Sequence, residues 1–551
     1  MQIVRTLKTK DLNRLLLAGM LFSAAGPVIG QTLRLDWTLV GGGPRLDMAM
    51  SVAVDSGGNP VVFGGIVGTI DLSSGQTFVG QGPGAFLAKL TNSGTVTWLS
   101  RLSGAGLLRG DMRMDGQGNT YVCGSIDPAG KFDAYAAKFN SLGELLWLQE
   151  LSGDGAETAF SVAVDSSGNC YVTGQLSTPL TTVFEGIPVA TANGRRYTGF
   201  LVKFGPDGTK LRKRLIALGE PDNGGGYAWP RASALDQQGN LYLAGDFFGP
   251  VSFDSITLDG ILPSALSYNE GGFVAKLDAN WNVTWAKAAE AFTDSDATPS
   301  FAMFRDIKID ADGNCLITGS FEPRLIVGTN ELAGNGGWDI VIARYSATGD
   351  ILWAKSAGGP SIDSGERLVI LSDSGDFALA GYFQGAASFP GTNITSQGVQ
   401  DLFVASYDHN GEPLRFSTIG ANAMAYFGAG IDRGPDGAVY VAGSRIRNPQ
   451  QNDRGFVDNQ DDLDIVVAKL VFDTGDPNAA SARLLLSIEA GQLVLSWPKT
   501  LGGVLESAAA LGADPAGWKA VEATPDAGPT HKMVRVNPAS ATAFFRLRSV
   551  Q

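Results

Sequence analysis

Apolar and polar positions alternate along most of this chain in short runs. Stretches of four to six apolar residues, rich in β-branched and aromatic side chains, are separated by clusters of Asp, Asn, Ser and Gly. That pattern predicts strands joined by tight turns. One line recurs. Val52-Ala-Val-Asp55-Ser-Gly-Gly58-Asn59, followed by Val61-Val-Phe-Gly64, returns from Asp115 to Gly124, Asp165 to Gly174, Asp236 to Gly245 and Asp310 to Gly319. Weaker copies run from Ser372 to Gly381 and from Gly434 to Gly443, which makes seven. The closing glycines stand 60, 50, 71, 74, 62 and 62 residues apart, enough for a four-stranded unit with one long loop.

A second line follows each copy: an aromatic-aliphatic run ending in a cation, a tight turn and often a tryptophan. It reads Phe86 to Lys89 and Trp98, Tyr135 to Lys138 and Trp147, and Phe200 to Lys203 and Lys213. It continues as Phe273 to Lys276 and Trp285, Ile340 to Arg344 and Trp353, and Phe403 to Ser406 and Phe416. The seventh copy, Ile465 to Lys469, has no tryptophan strand after it, whereas an unpartnered one lies at the front of the chain around Trp37. These features predict an all-β fold: a seven-bladed β-propeller over 31–472, closed by its N-terminal strand. An open solenoid would leave the Trp37 strand without a partner, and a closed ring protects the sheet edges. After a linker at 473–481, residues 482–551 read as a small β-sandwich of about five strands.

Composition narrows the class. The chain has 551 residues, a length that alone suggests three or four domains, but the repeats reduce this to one ring and one small module. Its 73 glycines fall largely on repeated turns and strand ends, with no Gly-X-Y period. Two histidines make His-ligated metal centres and His proton relays improbable. Three cysteines do not make a disulfide framework, and Cys123, Cys170 and Cys315 read as buried packing residues. Residues 1–30 carry Arg5, Lys8, Lys10 and Arg14 before an apolar run broken at Gly26 and Pro27, the pattern of a secretory signal peptide. Removing that basic segment makes the stated net charge of −14 still more negative, so a nucleic-acid partner is excluded. No later stretch is apolar and long enough to span a bilayer.

The combined motifs V-D-x-x-G-N-x-Y-V-x-G, G-x-x-D-x-F-V-A-K and W-A-K-x-x-G-G resemble the secreted bacterial β-propeller repeat. The fullest match is the fifth unit, from Asp310 through Gly319, Trp338-Asp339 and Arg344 to Trp353-Ala-Lys355. The resemblance implies a propeller and a secreted, periplasmic or cell-surface location, and it carries over no catalytic residue. The C-terminal segment is similar to short modules of exported proteins, which implies attachment or sorting.

The Asp-x-x-Gly-Asn turn has oxygen atoms at alternating positions, as calcium sites do. With one reliable carboxylate per copy, a hairpin in which Asp caps the turn and Gly takes positive φ explains it better. The turn acid and the strand cation occur together in five units and are lost together in the sixth (Ser372, Ser406), which predicts an intra-blade ion pair. The seventh, with Gly434 and Lys469, should lack it. Trp37, Trp98, Trp147, Trp285 and Trp353 share one repeat position and should pack between blades.

Short turns fall on one face, and the long second-to-third and fourth-to-first connections fall on the other, where binding groups are expected. The binding candidates are Arg195, Arg196, Tyr197, Tyr227, Trp229, Tyr268, Arg445 and Arg447. No cofactor is expected; calcium has weak candidates in Asp458, Asp461 and Asp462, whose spacing matches no EF-hand. The expected function is non-catalytic recognition of an extracellular carbohydrate or protein through this face. The alternative is a polysaccharide hydrolase or lyase using loop carboxylates.

Overall fold

The computed structural model describes residues 33–472 except 44–45, 73–76, 127–132, 177–181, 190–195, 220–225, 260–268, 294–299, 391, 421–424, 447–448, 452–456 and 459–462. Beyond 472 it describes only the strands named below. Among the described residues there is no helix, and so none long and apolar enough to cross a membrane. The chain divides into two compact units, of which Ala25–Phe472 is the larger.

That larger unit is a β-propeller-like arrangement of antiparallel four-strand runs that follow the sequence repeats. Repeat 1 comprises Asp47–Val54, Pro60–Asp71, Thr77–Leu90 and Val96–Ser103, and repeat 2 Ala105–Met114, Thr120–Ile126, Asp133–Phe139 and Leu145–Leu151. Repeat 3 comprises Glu157–Val164, Cys170–Leu176, Arg196–Phe204 and Lys210–Gly219. Repeat 4 has Tyr227–Leu235, Leu241–Phe248, Asn269–Leu277 and Val283–Phe292, and repeat 5 Ser300–Ile309, Cys315–Glu322, Asp339–Tyr345 and Ile351–Ala357. Repeat 6 has Ser364–Ile370, Phe377–Phe383, Asp401–Tyr407 and Pro413–Ile419. In the seventh, Ala425–Arg433, Val439–Ile446 and Leu463–Phe472 are completed by Leu33–Gly41, with Trp37 opposite Lys469. Repeats 1, 2, 3, 6 and 7 form separate sheets, while repeats 4 and 5 share one sheet of ten strands. A short parallel pairing joins those two, with Asn269 opposite Ser300 and Glu270 opposite Phe301. The second unit holds two small antiparallel sheets. One orders Leu485–Glu489, Gln492–Pro498, His531–Val536 and Asp526–Ala527; the other orders Lys519–Ala520, Val504–Ala508 and Phe544–Arg548.

Middle strands such as Thr120–Ile126 and Val439–Ile446 are buried along their whole length, because each sheet is covered on both faces by its neighbours. Neighbouring repeats are tied in three ways. The first is the tryptophan. Trp37 Nε1 donates to the Asn92 carbonyl (2.8 Å), Trp98 to Ser141 (3.3 Å), Trp147 to Pro206 (3.1 Å), Trp285 to Ala347 (3.2 Å) and Trp353 to His409 (3.1 Å). Each acceptor lies in the third-to-fourth-strand turn of the next repeat, whose glycine holds positive φ beneath the ring. A β-carbon on Gly143, Gly208 or Gly349 would come within 2.7–2.8 Å of indole atoms. Repeat 3 reverses the arrangement: Arg212 stands in the tryptophan position and lies 4.7 Å over Trp281, which replaces the glycine of the next turn and itself holds φ +61°. Arg415, in the same position of repeat 6, lies 4.8 Å over Phe472.

The second tie uses the long second-to-third connections. Val251–Phe253 with Ile256–Leu258 pairs onto the outer strand of repeat 3, and Arg324–Val327 with Asn330–Ala333 onto that of repeat 4. Single bridges do the same at Gly42 with Asp71, Gly153 with Phe184 and Gly358 with Ser388. These connections, expected to be variable loops, therefore use much of their length to cover the edge of the preceding sheet. The third tie is an inner-strand carboxylate. Asp111 accepts the Val162 N–H (3.3 Å), Asp306 that of Leu368 (2.8 Å) and Asp432 that of Val54 (2.7 Å), the last joining repeat 7 to repeat 1.

The turn acid behaves as expected: Asp55 Oδ1 accepts the N–H groups of Gly57 and Asn59 at 2.9 and 2.8 Å. Its ion pair with Lys89 is 2.8 Å long; Asp165 with Lys203 and Asp236 with Lys276 are looser, at 3.7 and 3.9 Å, and Asp310 pairs with Arg344. In repeat 2, Lys138 instead donates to the Pro206 carbonyl at 3.3 Å. Repeat 7 keeps the pair that its sequence seemed to have lost, because Asp436, two positions past Gly434, reaches Lys469 at 2.9 Å. Cys123, Cys170 and Cys315 are buried free thiols.

Removing one indole opens a cavity between two sheets and orphans a turn carbonyl. Trp147→Ala is therefore expected to cost about 3–5 kcal/mol in urea-induced unfolding; a loss below about 1 kcal/mol would refute the role of this contact.

Candidate functional site

The first strand of most repeats carries a β-bulge at one recurring place. The register shifts between Ala49 and Ser51, Ala159 and Ser161, Pro230 and Ala232, Phe304 and Asp306, and Gly365 and Arg367. Bulges re-aim a side chain. The bulged residue is the buried Met50 or Phe160 in repeats 1 and 3, but Arg231, Arg305 and Glu366 in repeats 4, 5 and 6. Apolar fillers thus give way to charge over three consecutive repeats.

Arg231 makes a two-pronged pair with Asp246, which is fully buried; Nη2 to Oδ2 is 3.0 Å and Nε bonds Oδ1. Its guanidinium lies 5.4 Å over Trp229 and 5.7 Å over Phe160. Arg305 Nε reaches Glu366 at 3.2 Å, and its guanidinium stands 6.0 Å from the Trp338 ring. Rings line the same region. Tyr227 meets Trp229 at a tilt at 4.8 Å and stacks on Phe248 at 5.0 Å, and Phe301 meets Trp338 at 4.6 Å. Tyr227, Trp229, Phe301 and Trp338 remain partly exposed.

Glu270 completes the cluster. Burial, then its hydrogen bond to Asp246 and that residue's charge, push its carboxyl far above the usual carboxylate range, against the pull of Arg231 and Arg305. Asp246 meanwhile keeps its two-pronged pair with Arg231. Next to Arg305, Tyr382 is raised to about 12, by burial and then by the Glu366 charge.

Of the candidates read from sequence, Tyr227 and Trp229 come together here. Arg445 does not: its strand places it opposite Asp464, and the two form a buried ion pair with Nη2 to Oδ2 at 2.9 Å. Arg196 and Tyr197 open the strand Arg196–Phe204, and Asp458 ends the short strand Val457–Asp458. Arg195, Tyr268, Arg447, Asp461 and Asp462 lie outside the described residues. Among the described residues no three His, Cys, Asp or Glu side chains gather as a metal site. Sequence reasoning missed Arg231 and Arg305, although both lie five positions before a turn acid, where other repeats have Met50 and Phe160.

In sequence comparison neither a protein-family model nor a curated protein matches the chain. In structure comparison it is similar to the polysaccharide lyase Uly1, with a TM-score of 0.40 and 9% identity over 86% of this chain and 99% of that one. It is also similar to a puromycin hydrolase (TM-score 0.33, 12% identity, 74% of this chain and 59% of that one). A DUF4221-family member from Bacteroides vulgatus gives a TM-score of 0.30 and 10% identity over 68% of this chain and 95% of that one. At these identities the likeness concerns the fold alone.

A second group of buried carboxyls lies where repeat 5 meets repeat 6. Asp339 Oδ2 accepts the Asn335 N–H at 2.7 Å, while Asp363 accepts those of Gly359 (2.6 Å) and Gln384 (3.1 Å). Both acids flank Gly358 so closely that a β-carbon there would collide with each, and its φ of +143° also favours glycine. Burial raises each to about 7, and the Asp363 charge adds to the effect at Asp339. The folded chain therefore holds protons that the unfolded chain releases near 3.8. Stability should fall as pH rises from about 4 to about 7 and level off above that. Asp339→Asn keeps a carbonyl acceptor for Asn335 and removes one of the facing charges. Thermal unfolding should show its gain over the unmodified chain to be larger at pH 8 than at pH 5, and a gain equal at both would exclude titration of Asp339 in this window.

Proposed function

We propose that this chain is an exported, non-catalytic protein of the secreted bacterial β-propeller repeat kind, in which seven blades close into a ring and present a carbohydrate-binding mouth. The observation that carries this reading is the set of partly exposed rings, Tyr227, Trp229, Phe301 and Trp338, held beside the pairs that Arg231 and Arg305 of adjacent first strands make with Asp246 and Glu366. Aromatic faces suit the C–H faces of sugar rings, and fixed polar groups suit their hydroxyls. Closure is supported by repeat 7 meeting repeat 1 through the same contacts as other neighbours: Trp37 to Asn92, Asp432 to Val54, and Gly42 with Asp71. The two sheets after 473 suit a small sandwich that attaches or sorts the protein, and the leader at 1–30 would deliver it to the cell surface, the periplasm or the medium.

The hydrolase form of the polysaccharide-degrading alternative is disfavoured by the pair of acids at this mouth. Glycosidase carboxyls stand about 5–9.5 Å apart to admit substrate or water, whereas Asp246 and Glu270 touch and Asp246 is held by Arg231. A polysaccharide array probed with the purified protein, followed by product analysis on each ligand found, tests the reading. Binding without chain cleavage is expected, with Trp229→Ala weakening it about tenfold. Release of oligosaccharides, or binding to proteins alone, would overturn it.

A further inference from the structure

A cluster of charges on the first strands carries an inference that stands on the closure of the ring and not on the carbohydrate reading. The first strands of the seven repeats touch in succession, and Ala425–Arg433 of repeat 7 touches Asp47–Val54 of repeat 1. Register sets Arg113, Lys308 and Asp432 at one position of these strands, opposite the third residue before each closing glycine. Asp111, Asp306 and Arg367 share the position two residues earlier. Equivalent positions on strands set around one axis converge, and the charges act across it. Arg113 of repeat 2 is attracted by Asp306 of repeat 5 and Asp432 of repeat 7, and Asp111 by Arg367 and Lys308.

The acids of this cluster are committed to the fold. Asp111 and Asp306 are each 2% exposed and lie in the seams between repeats, where they accept the N–H groups of Val162 and Leu368. Asp432 accepts that of Val54, and burial pushes its carboxyl above the usual carboxylate range, so it yields its charge most readily when an anion enters. The cationic heads are open. The side chains of Arg113 and Lys308 are 29% and 23% exposed, and the equivalent Ala53, Ala163 and Ala234 are too short to cover them. Burial, with the Arg113 charge added, holds the Lys308 ammonium below the usual lysine range in spite of Asp306. Arg113 commits Nη1 to Asp111 (2.8 Å) and to the Met112 carbonyl (2.7 Å). Arg367, also partly exposed, commits Nη1 to the carbonyls of Arg305 (3.1 Å) and Glu366 (3.0 Å) and makes no ion pair among the described residues. Among those residues, neither guanidinium has an acceptor for its Nε and Nη2 edge.

Such an edge fits two oxygens of one anion. A carboxylate satisfies one edge, whereas a phosphate or sulfate group has oxygens for both. We propose that the centre of the ring binds one tetrahedral oxyanion, a phosphate or sulfate group, through the free edges of Arg113 and Arg367 with Lys308 supplying charge, and so links repeats 2, 5 and 6.

Calorimetric titration and thermal unfolding of the full chain in sodium sulfate and sodium phosphate, against chloride and acetate at equal ionic strength, test this. Sulfate or phosphate should bind one per chain and raise Tm with the logarithm of its concentration above Kd, as a ligand of the folded state does. Acetate should bind about tenfold more weakly. Arg367→Gln should weaken binding about tenfold, and Lys355→Gln, the same loss of charge on an outer strand, should stay within about twofold. A sulfated hexasaccharide and its desulfated form separate the two sources of the group: binding of the sulfated form alone, with no response to the inorganic ions, assigns the site to an ester on a polymer. An equal response to all four salts, a response that does not saturate, or an unaffected Arg367→Gln overturns the site and leaves the carbohydrate reading to its own array. If Arg367→Gln does not fold, the stoichiometry and anion selectivity of the unmodified chain decide the matter.

Discussion

An indole pressed onto a turn without a β-carbon is the contact on which the larger unit depends. Each tryptophan stands on the outer strand of one repeat and donates its N–H to the next, so a single side chain fixes both the spacing and the rotation between neighbouring sheets. The glycine beneath it has two reasons to be glycine: its φ is positive and the ring occupies the place of a side chain. Where the pattern changes, the contact survives in another form. Arg212 over Trp281 exchanges the two partners, and Arg415 over Phe472 serves repeat 6, whose neighbour has no third-to-fourth turn to receive an indole. Gly94, Gly143, Gly208, Gly349 and Gly411 are thus a packing requirement repeated between neighbours, and they need no ligand to explain them.

This arrangement divides the two faces of the sheets. On the turn face, caps, ion pairs and indole contacts tie polar groups into the assembly. On the other, the hairpins that cover neighbouring edges are also structural, which leaves the ends of the first strands as the place where chemistry varies freely. The bulge matters there because it points one extra residue out of the ladder, and its identity changes from Met50 or Phe160 to Arg231, Arg305 and Glu366 without disturbing the pairing on either side.

Strand order, repeat boundaries, the N-terminal strand in the last repeat and the inter-repeat tryptophans were legible because each depends on short-range patterns copied many times. What escaped depends on register or on departures from the pattern. Arg445 reads as a loop cation, but pairing places it opposite Asp464, nineteen residues on, and buries both. The Lys469 partner was overlooked because the acid moved two positions along the turn to Asp436. Asp246 and Glu270 are separated by a long connection, and only the antiparallel register, which sets Asp246 opposite Gly272, shows that their carboxyls meet. Tyr227 and Trp229 were legible as aromatics beside a long connection, whereas their arginine neighbours required the bulge to be recognised as a repeat position.

The position of Glu270 follows from the same constraint that holds the rest together. Repeats 4 and 5 are the pair whose sheets merge, and the merging strands carry Glu270 and Phe301 at their point of contact. A buried carboxyl would ordinarily relax by swinging toward water. Here its strand is hydrogen-bonded on both sides, Arg231 is paired with Asp246 and Arg305 with Glu366, and burial beside Asp246 keeps its carboxyl far above the usual carboxylate range. The local cost is tolerated because stability is supplied elsewhere, by indole, hairpin and carboxylate ties repeated between neighbours. A scaffold secured by contacts repeated between neighbours can therefore hold a buried acid where two sheets merge, at a cost that the isolated strands would not bear.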